Sequence, residues 1–341
     1  MNKIPPGFLQ PSAALVLKQR QVRFFGRSEK RPEVGDVVYG RVERIGQHSE
    51  IENKLGRIHR IDAGSRSIFV FGNRYAPDYY EAFVPERLNP VVDLVSRSGI
   101  VSAVEAKNSQ VKDPTRVEVL GYVYGEDDKV LNTREFPLIV PKTQERKPNR
   151  AKLILVVGTS MNSGKSMSAI ACCWALSAMG HSVRASKLTG TASLKEILFM
   201  QDAGAEVVND FTHFGCPSTY MMKEDEILNI FDQVDLKYGN DPKNYWIVEL
   251  ADGILQRETA MLLRSEVVRD RIHRLIFAAS DCFGALGGLR LLKDEFGLTA
   301  DAISGVCSGS PLAQRELSRF VSTPVFNNMD RNLEQLAGIL L

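Results

Sequence analysis

A doubly wound α/β domain with a mostly parallel sheet, carrying a phosphate-binding loop and preceded by a smaller β-rich domain of barrel or sandwich type, is the fold class this sequence predicts. Three observations predict it. From residue 153 onward, short apolar runs alternate with helical stretches, the order a parallel sheet with crossover helices requires. The first of those runs leads directly into a glycine-bounded loop ending Gly-Lys-Ser. Before residue 140 the apolar runs are short, closely spaced and broken by turn residues, the pattern of a small β structure.

The chain as a whole sets limits. Its 341 residues suggest two domains. With 44% hydrophobic and 25% charged residues it has a soluble globular composition. A net charge of +2 gives no electrostatic footprint for a nucleic-acid partner. No apolar run is long enough to span a membrane, and Met1 to Pro6 has no signal-peptide core behind it, so a cytoplasmic location is expected. The cysteines Cys172, Cys173, Cys216, Cys282 and Cys307 form no Cys-x-x-Cys pair, and the histidines are scattered. A disulfide framework and a zinc site are not expected.

Residues 1–33 read as an irregular N-terminal arm with prolines and a basic stretch from Lys18 to Arg31. The β-rich domain is placed at 34–140. Its strands are expected at Val37–Val42, then Arg57–Ile61 and Ser67–Phe71 about a turn at Asp62–Ser65. Val117–Tyr124 and Lys129–Leu131 are expected to form a hairpin across Gly125–Asp128. Val91–Val104 reads as a short helix, its pattern ambiguous. The patch Gly72–Tyr80 places Arg74 and Tyr75 among further aromatics in a turn, a substrate-contacting loop or an edge loop covering the barrel. Pro141–Lys152 is charged and aperiodic, a linker between the β domain and an α/β domain at 153–341.

In the α/β domain the strands are expected at Leu153–Val157, Val183–Ser186, Tyr245–Leu250, Arg274–Ala279 and Ala302–Val306, with a short last one near Val325. Helices are expected at Ser166–Met179, Ser193–Asp202, Glu258–Arg264, Gly284–Lys293 and Leu312–Arg319. Ligands in such sheets bind at the carboxyl ends of the strands. The loop there reads Gly158-Thr159-Ser160-Met161-Asn162-Ser163-Gly164-Lys165-Ser166. Its backbone and the helix N-terminus suit an anion, Lys165 the outer phosphates, and Ser166 a Mg²⁺ ion. Lys187 and Thr189 follow the second strand, where a lysine beside hydroxyls suits a phosphate or a carboxylate. Glu249 closes the third, the position for a carboxylate serving Mg²⁺, with Asp252 and Gln256 following. Asp202 and Asp210 are candidates for a second metal-side carboxylate, though both also suit turns and caps. Ser280 or Asp281 suits a helix cap. The Gly305–Pro311 loop, with Ser308, Ser310 and Pro311, is placed to hold a nucleotide base.

Taken together, these stretches resemble the dethiobiotin synthetase and cobyrinic/cobyric acid synthase group of P-loop enzymes, over residues 151–341 only. The group's loop carries five residues between its glycines, one more than the usual P-loop, as Gly158 to Gly164 does. Lys187-Leu188-Thr189-Gly190, Val248–Gly253 and Gly305–Pro311 resemble its later motifs, with Leu188, Leu250 and Ser308 departing from them. The resemblance implies ATP, with GTP open, and Mg²⁺ as cofactors, and γ-phosphoryl transfer that activates a carboxylate or similar group of a small metabolite held between the two domains. It implies catalytic roles for Lys165, Lys187 and Glu249. The alternative is a nucleotide-switch ATPase or a nucleotide-binding regulatory protein acting on a protein partner. Switch relatives place a second lysine where this chain has Ser160. A homodimer stays open.

Overall fold

A computed structural model of the chain describes residues 1–125 and 128–341. The first compact unit comprises Met1–Ile139 with Thr191–Lys195 and Phe211–Met221; the second comprises Val140–Gly190, Glu196–Asp210 and Met222–Leu341. Two short segments from the C-terminal half thus belong to the first unit.

The first unit is built on strands β1 (Asn2–Lys3), β2 (Phe24–Gly26), β3 (Val37–Arg44), β4 (Glu50–Glu52), β5 (Ile58–Arg60), β6 (Arg66–Phe71), β7 (Arg74–Tyr75), β8 (Tyr80–Phe83), β9 (Val91–Leu94), β10 (Ile100–Lys107) and β11 (Thr115–Tyr124). β11 pairs with β3, β3 with β6, β6 with β10, β10 with β9, and β9 again with β11. That circuit closes, so the unit is a barrel, and closure removes the exposed edges an open sheet would carry. Alternate residues point inward, as the two-residue strand period requires. Val38 and Val42, Phe69 and Phe71, Val92 and Leu94, and Val101 and Val117 form its core.

Two expectations for this unit change. Val91–Val104 is not a helix. Val92 and Leu94 face the core while Asp93 pairs with Arg116 on β11 at 2.5 Å, so the run is read with a period of two and forms the β9–β10 hairpin. The turn at Asp62–Ser65 forms, with Ser65 N donating to Asp62 O at 3.0 Å. β5, however, pairs with β4 rather than across that turn. Residues 1–33 are tied down, because β2 pairs with β11 and Ala13, Ala14, Val16 and Leu17 are buried. At the Gly125–Asp128 turn, Glu126 and Asp127 lie outside the described residues. Tyr124 bridges Val130 beside it.

The second unit runs β12 (Lys152–Gly158), α1 (Lys165–Ala178), β13 (Ser182–Lys187), α2 (Leu194–Asp202), β14 (Val207–Asp210), α3 (Glu224–Tyr238), β15 (Asn244–Glu249), α4 (Arg257–Arg264), α5 (Glu266–Arg269), β16 (Ile272–Ala278), α6 (Cys282–Phe296), β17 (Ala302–Ser304), α7 (Pro311–Leu317) and α8 (Leu333–Leu340). α2 begins in the segment counted with the first unit. The strands form one parallel sheet in the order β14-β13-β15-β12-β16-β17. Ile154, Val156, Val183 and Ile247 of the sheet pack with Ala169, Cys172, Cys173 and Leu176 of α1 and with Leu336 and Leu340 of α8. Cys172 and Cys173 are therefore core residues. The strand expected near Val325 is a single bridge to Ile303. β12 is central, and the chain leaves it first toward β13 and later toward β16. The carboxyl end of β12 is thus a topological switch point, where open α/β sheets hold their ligands. Among the described residues no helix is long and apolar enough to cross a membrane.

Candidate functional site

The loop between β12 and α1 is fastened on several sides. Thr159 N donates to Ala278 O at 3.0 Å, Ile254 N to Gly158 O at 2.9 Å, and Val306 N to Ser163 O at 3.1 Å. Asn328 Nδ2 donates to Gly164 O and to Ser168 Oγ, both at 3.2 Å. The hydroxyls of Thr159 and Ser160 each lie 3.3 Å from Ser280 Oγ, and Asp281 caps α6 by accepting from Gly284 N. A Cβ on Gly164 would stand 2.8 Å from Gly305 Cα, and a Cβ on Gly305 would stand 2.3 Å from Ser163 O. The loop is therefore held in shape before any ligand arrives.

Beside it lies a cavity of about 370 Å³ whose wall includes Asn162, Lys165, Ser166, Lys187, Glu249 and Asp252. Lys165 is buried and its ammonium donates to Ser160 O at 2.7 Å. Burial pulls its pKa down, against the opposing pull of Glu249 and Asp252. The Ser166 hydroxyl donates to Glu249 Oε1 at 2.9 Å. Among the described residues, Glu249 Oε2 is buried with no hydrogen-bond partner, as is Ser163 Oγ. Burial raises the pKa of Glu249, while Lys187 and Lys165 oppose the rise. Burial also acts on Lys187, lowering its pKa, but Glu196, Glu249 and Asp252 outweigh it and the net shift is upward.

The strand register explains this grouping. Lys187 on β13 sits level with Glu249 on β15 and with Asp210 on β14. In-register neighbours put their side chains on the same face. A buried row of acid, base and acid thus crosses the carboxyl end of the sheet. Glu196, in the first turn of α2, faces Lys187 and forms an ion pair with it. Sequence reasoning missed Glu196, whose signal was an acid in the first turn of an expected helix. It missed Asn328 as well, which has no local signal.

Other expected site residues lie elsewhere. Thr189 is fully buried; its hydroxyl donates to Ala251 O at 2.5 Å and accepts from Ala251 N at 2.7 Å. It clamps the loop after β15 and leaves the cavity wall to its neighbours. Gln256 caps α4, accepting from Thr259 N at 3.0 Å, and bonds Glu258. Asp202 is exposed at the end of α2, and Asp210 is buried at the end of β14; neither lines the cavity. Ser308 donates its hydroxyl to Gly305 O at 2.8 Å. Ser310 and Pro311 are exposed at the start of α7, and Val306 is the residue of that loop on the cavity wall. Arg74 and Tyr75 belong to the first unit. There Arg74 is buried against His48 Nε2 at 3.0 Å and over the Tyr79 ring, and Tyr75 packs on Tyr220.

The site fits a Mg²⁺-bearing phosphate chain. A hydroxyl and a carboxylate meet at the helix N-terminus, with an orphaned carboxylate oxygen behind them. Among the described residues no group of three or more His, Cys, Asp or Glu is arranged to hold a metal ion; a Mg²⁺ ion held largely by phosphate oxygens and water needs no such group.

The fold and this loop define the second unit as a P-loop α/β domain. No family model matches the chain, and no curated protein matches it. Among solved structures it is similar to the signal recognition particle receptor FtsY from Elizabethkingia anophelis, with a TM-score of 0.40 and 14% identity over 56% of this chain and 63% of that one. The same receptor in complex with GDP gives 0.40 and 13% over 61% and 69%. The chain thus spans less than two thirds of the first of these structures.

Proposed function

We propose that the second unit binds a nucleoside triphosphate with Mg²⁺ in the 370 Å³ cavity and transfers the terminal phosphoryl group to a small metabolite, activating its carboxylate or a similar group. The observation carrying this reading is the meeting of Ser166, Glu249 and two buried lysines at one end of the sheet. Lys165 leaves Ser160 O to hold the outer phosphates. Ser166 and Glu249 Oε2 supply the protein's oxygens to the metal's shell. The metal, when bound, neutralises the charge that builds on the transferring phosphoryl oxygens. Lys187 faces the same space and meets the activated group. Chemistry of this kind asks for positioned charges rather than a protein nucleophile. ATP is the first nucleotide to test, with GTP beside it, since the Ser308 hydroxyl is occupied by Gly305 O.

A second reading is a nucleotide-dependent switch or regulatory protein acting on a protein partner. Leu255, Phe283, Val306 and Leu312, in segments that follow the carboxyl ends of β15, β16 and β17, are all more than half exposed, and exposed apolar groups of this kind favour a protein surface as partner. Hydrolysis stimulated by metabolites supports the first reading, and hydrolysis stimulated only by a protein supports the second.

The test common to both is Lys165→Ala. Losing a charge-assisted phosphate contact weakens nucleotide binding about tenfold to a hundredfold, read by titration calorimetry. Unchanged affinity and turnover would sink both readings.

A further inference from the structure

Glu249 Oε2 poses a question of its own. It is a buried carboxylate oxygen with no hydrogen-bond partner among the described residues, yet a buried ammonium, that of Lys187, stands level with it on the adjacent strand. Such a pair would ordinarily close, because an unmade bond to a buried charge is costly. Among the described residues, the hydrogen bond of the Lys187 ammonium goes instead to Glu196, on the first turn of α2. A further feature suits this arrangement. Gly190 leaves room for the end of the lysine, since a Cβ there would lie 3.3 Å from Lys187 Cε.

We propose that Glu196 is a positioning residue: it draws Lys187 away from Glu249 and so keeps Glu249 Oε2 open for the metal shell. The proposal rests on the nucleotide reading above and extends it to a residue whose role is felt through the metal. Without the Glu196 charge, Lys187 turns to its in-register neighbour, closes an ion pair with Glu249, and competes with Mg²⁺ for the carboxylate.

The experiment is a Mg²⁺ titration of nucleotide binding, using a non-hydrolysable triphosphate analogue and the full chain, in wild type, Glu196→Gln, Lys187→Met and the double variant. Glu196→Gln is expected to raise the Mg²⁺ concentration for half-saturation about tenfold, the scale of one charged hydrogen bond. In the Lys187→Met background the same change is expected to have no effect, because the competitor is gone. A merely structural role for Glu196 would shift both backgrounds alike. No shift in Glu196→Gln, or an equal shift in the Lys187→Met background, overturns the proposal. If the wild type shows no Mg²⁺-dependent nucleotide binding, the nucleotide reading itself fails, a distinct result. Should Glu196→Gln not fold by thermal unfolding, Glu196→Asp keeps the charge but shortens its reach, and its smaller shift must likewise vanish with Lys187→Met.

Discussion

Both units bury cations, and they do so in opposite ways. In the barrel, Arg74 lies against His48 Nε2 and the face of Tyr79, and the same ring nitrogen stands 3.0 Å from Val95 O. In the second unit, Lys165 and Lys187 line an open cavity beside Glu196, Glu249 and Asp252. The barrel cation is buried against an imidazole and a phenol ring; the sheet cations stand at the end of β13 and at the first residue of α1, on the wall of the cavity. Buried charge alone therefore does not mark a site. Buried charge that meets its counter-charge around a cavity, with a carboxylate oxygen left over, does.

The sharpest way to break this contrast is at the glycine that backs the loop. Gly305 has φ +100° and a Cβ there would meet Ser163 O at 2.3 Å and Ala279 N at 2.7 Å. Both neighbours are backbone and neither can turn aside. Gly64, in a barrel turn, has φ +91° and open space around it. Gly305→Ala is expected to cost about 4 kcal/mol and to abolish nucleotide binding, against about 1 kcal/mol for Gly64→Ala. Denaturant unfolding of the two variants checks it. Equal costs would mean the loop has slack and is not held in shape as described.

Next in size is Glu249→Gln, which preserves shape while removing the charge. Mg²⁺-dependent nucleotide affinity is expected to fall about a hundredfold with the unfolding midpoint little changed. A variant that binds Mg²⁺-nucleotide as wild type does would remove Glu249 from the metal's shell and leave the orphaned oxygen unexplained.

How much of this was legible beforehand follows from how local each signal is. The loop, Lys187 and Glu249 are carried by runs of neighbouring residues at strand ends, and the elements expected in the second unit fall within a few residues of their patterns, whereas β14, α5 and α8 were not among them. α3 was legible yet absent from the expected elements. Lys223 N donates to Glu226 Oε2 at 2.9 Å at its start, and Ile227, Ile230, Phe231 and Val234 repeat at helical spacing. Barrel closure was not legible, because β9 meets β11 through pairs such as Val92 with Val117, and a strand's own sequence does not name its partner. Thr189 and Gln256 show a deeper limit. A hydroxyl or amide at a strand end suits a ligand and suits a backbone clamp equally, and only the observed bonds to Ala251 and Thr259 N assign them to the clamp.

The smallest effect concerns pH and separates the units by probe. Burial, then the nearby Arg74 charge, lowers the pKa of His48 from 6.5 to about 3. Its folded pKa lies below its unfolded one, so as pH falls through 6.5 the unfolded chain takes up a proton that the folded barrel refuses. Stability is complete above pH 6.5 and declines toward pH 3, by about 1.4 kcal/mol per pH unit at most. Both tryptophans, Trp174 and Trp246, lie in the second unit, so their fluorescence does not report the barrel directly. Amide exchange in β9 and β10 does. Between pH 6.5 and 5, exchange free energies in those strands are expected to drop by about 2 kcal/mol after correction for the intrinsic pH dependence of exchange. In His48→Gln that drop should largely disappear. If the wild-type strands held their protection down to pH 5, the imidazole would be titrating normally, and the buried Arg74–His48 contact would not be a tight, desolvated one.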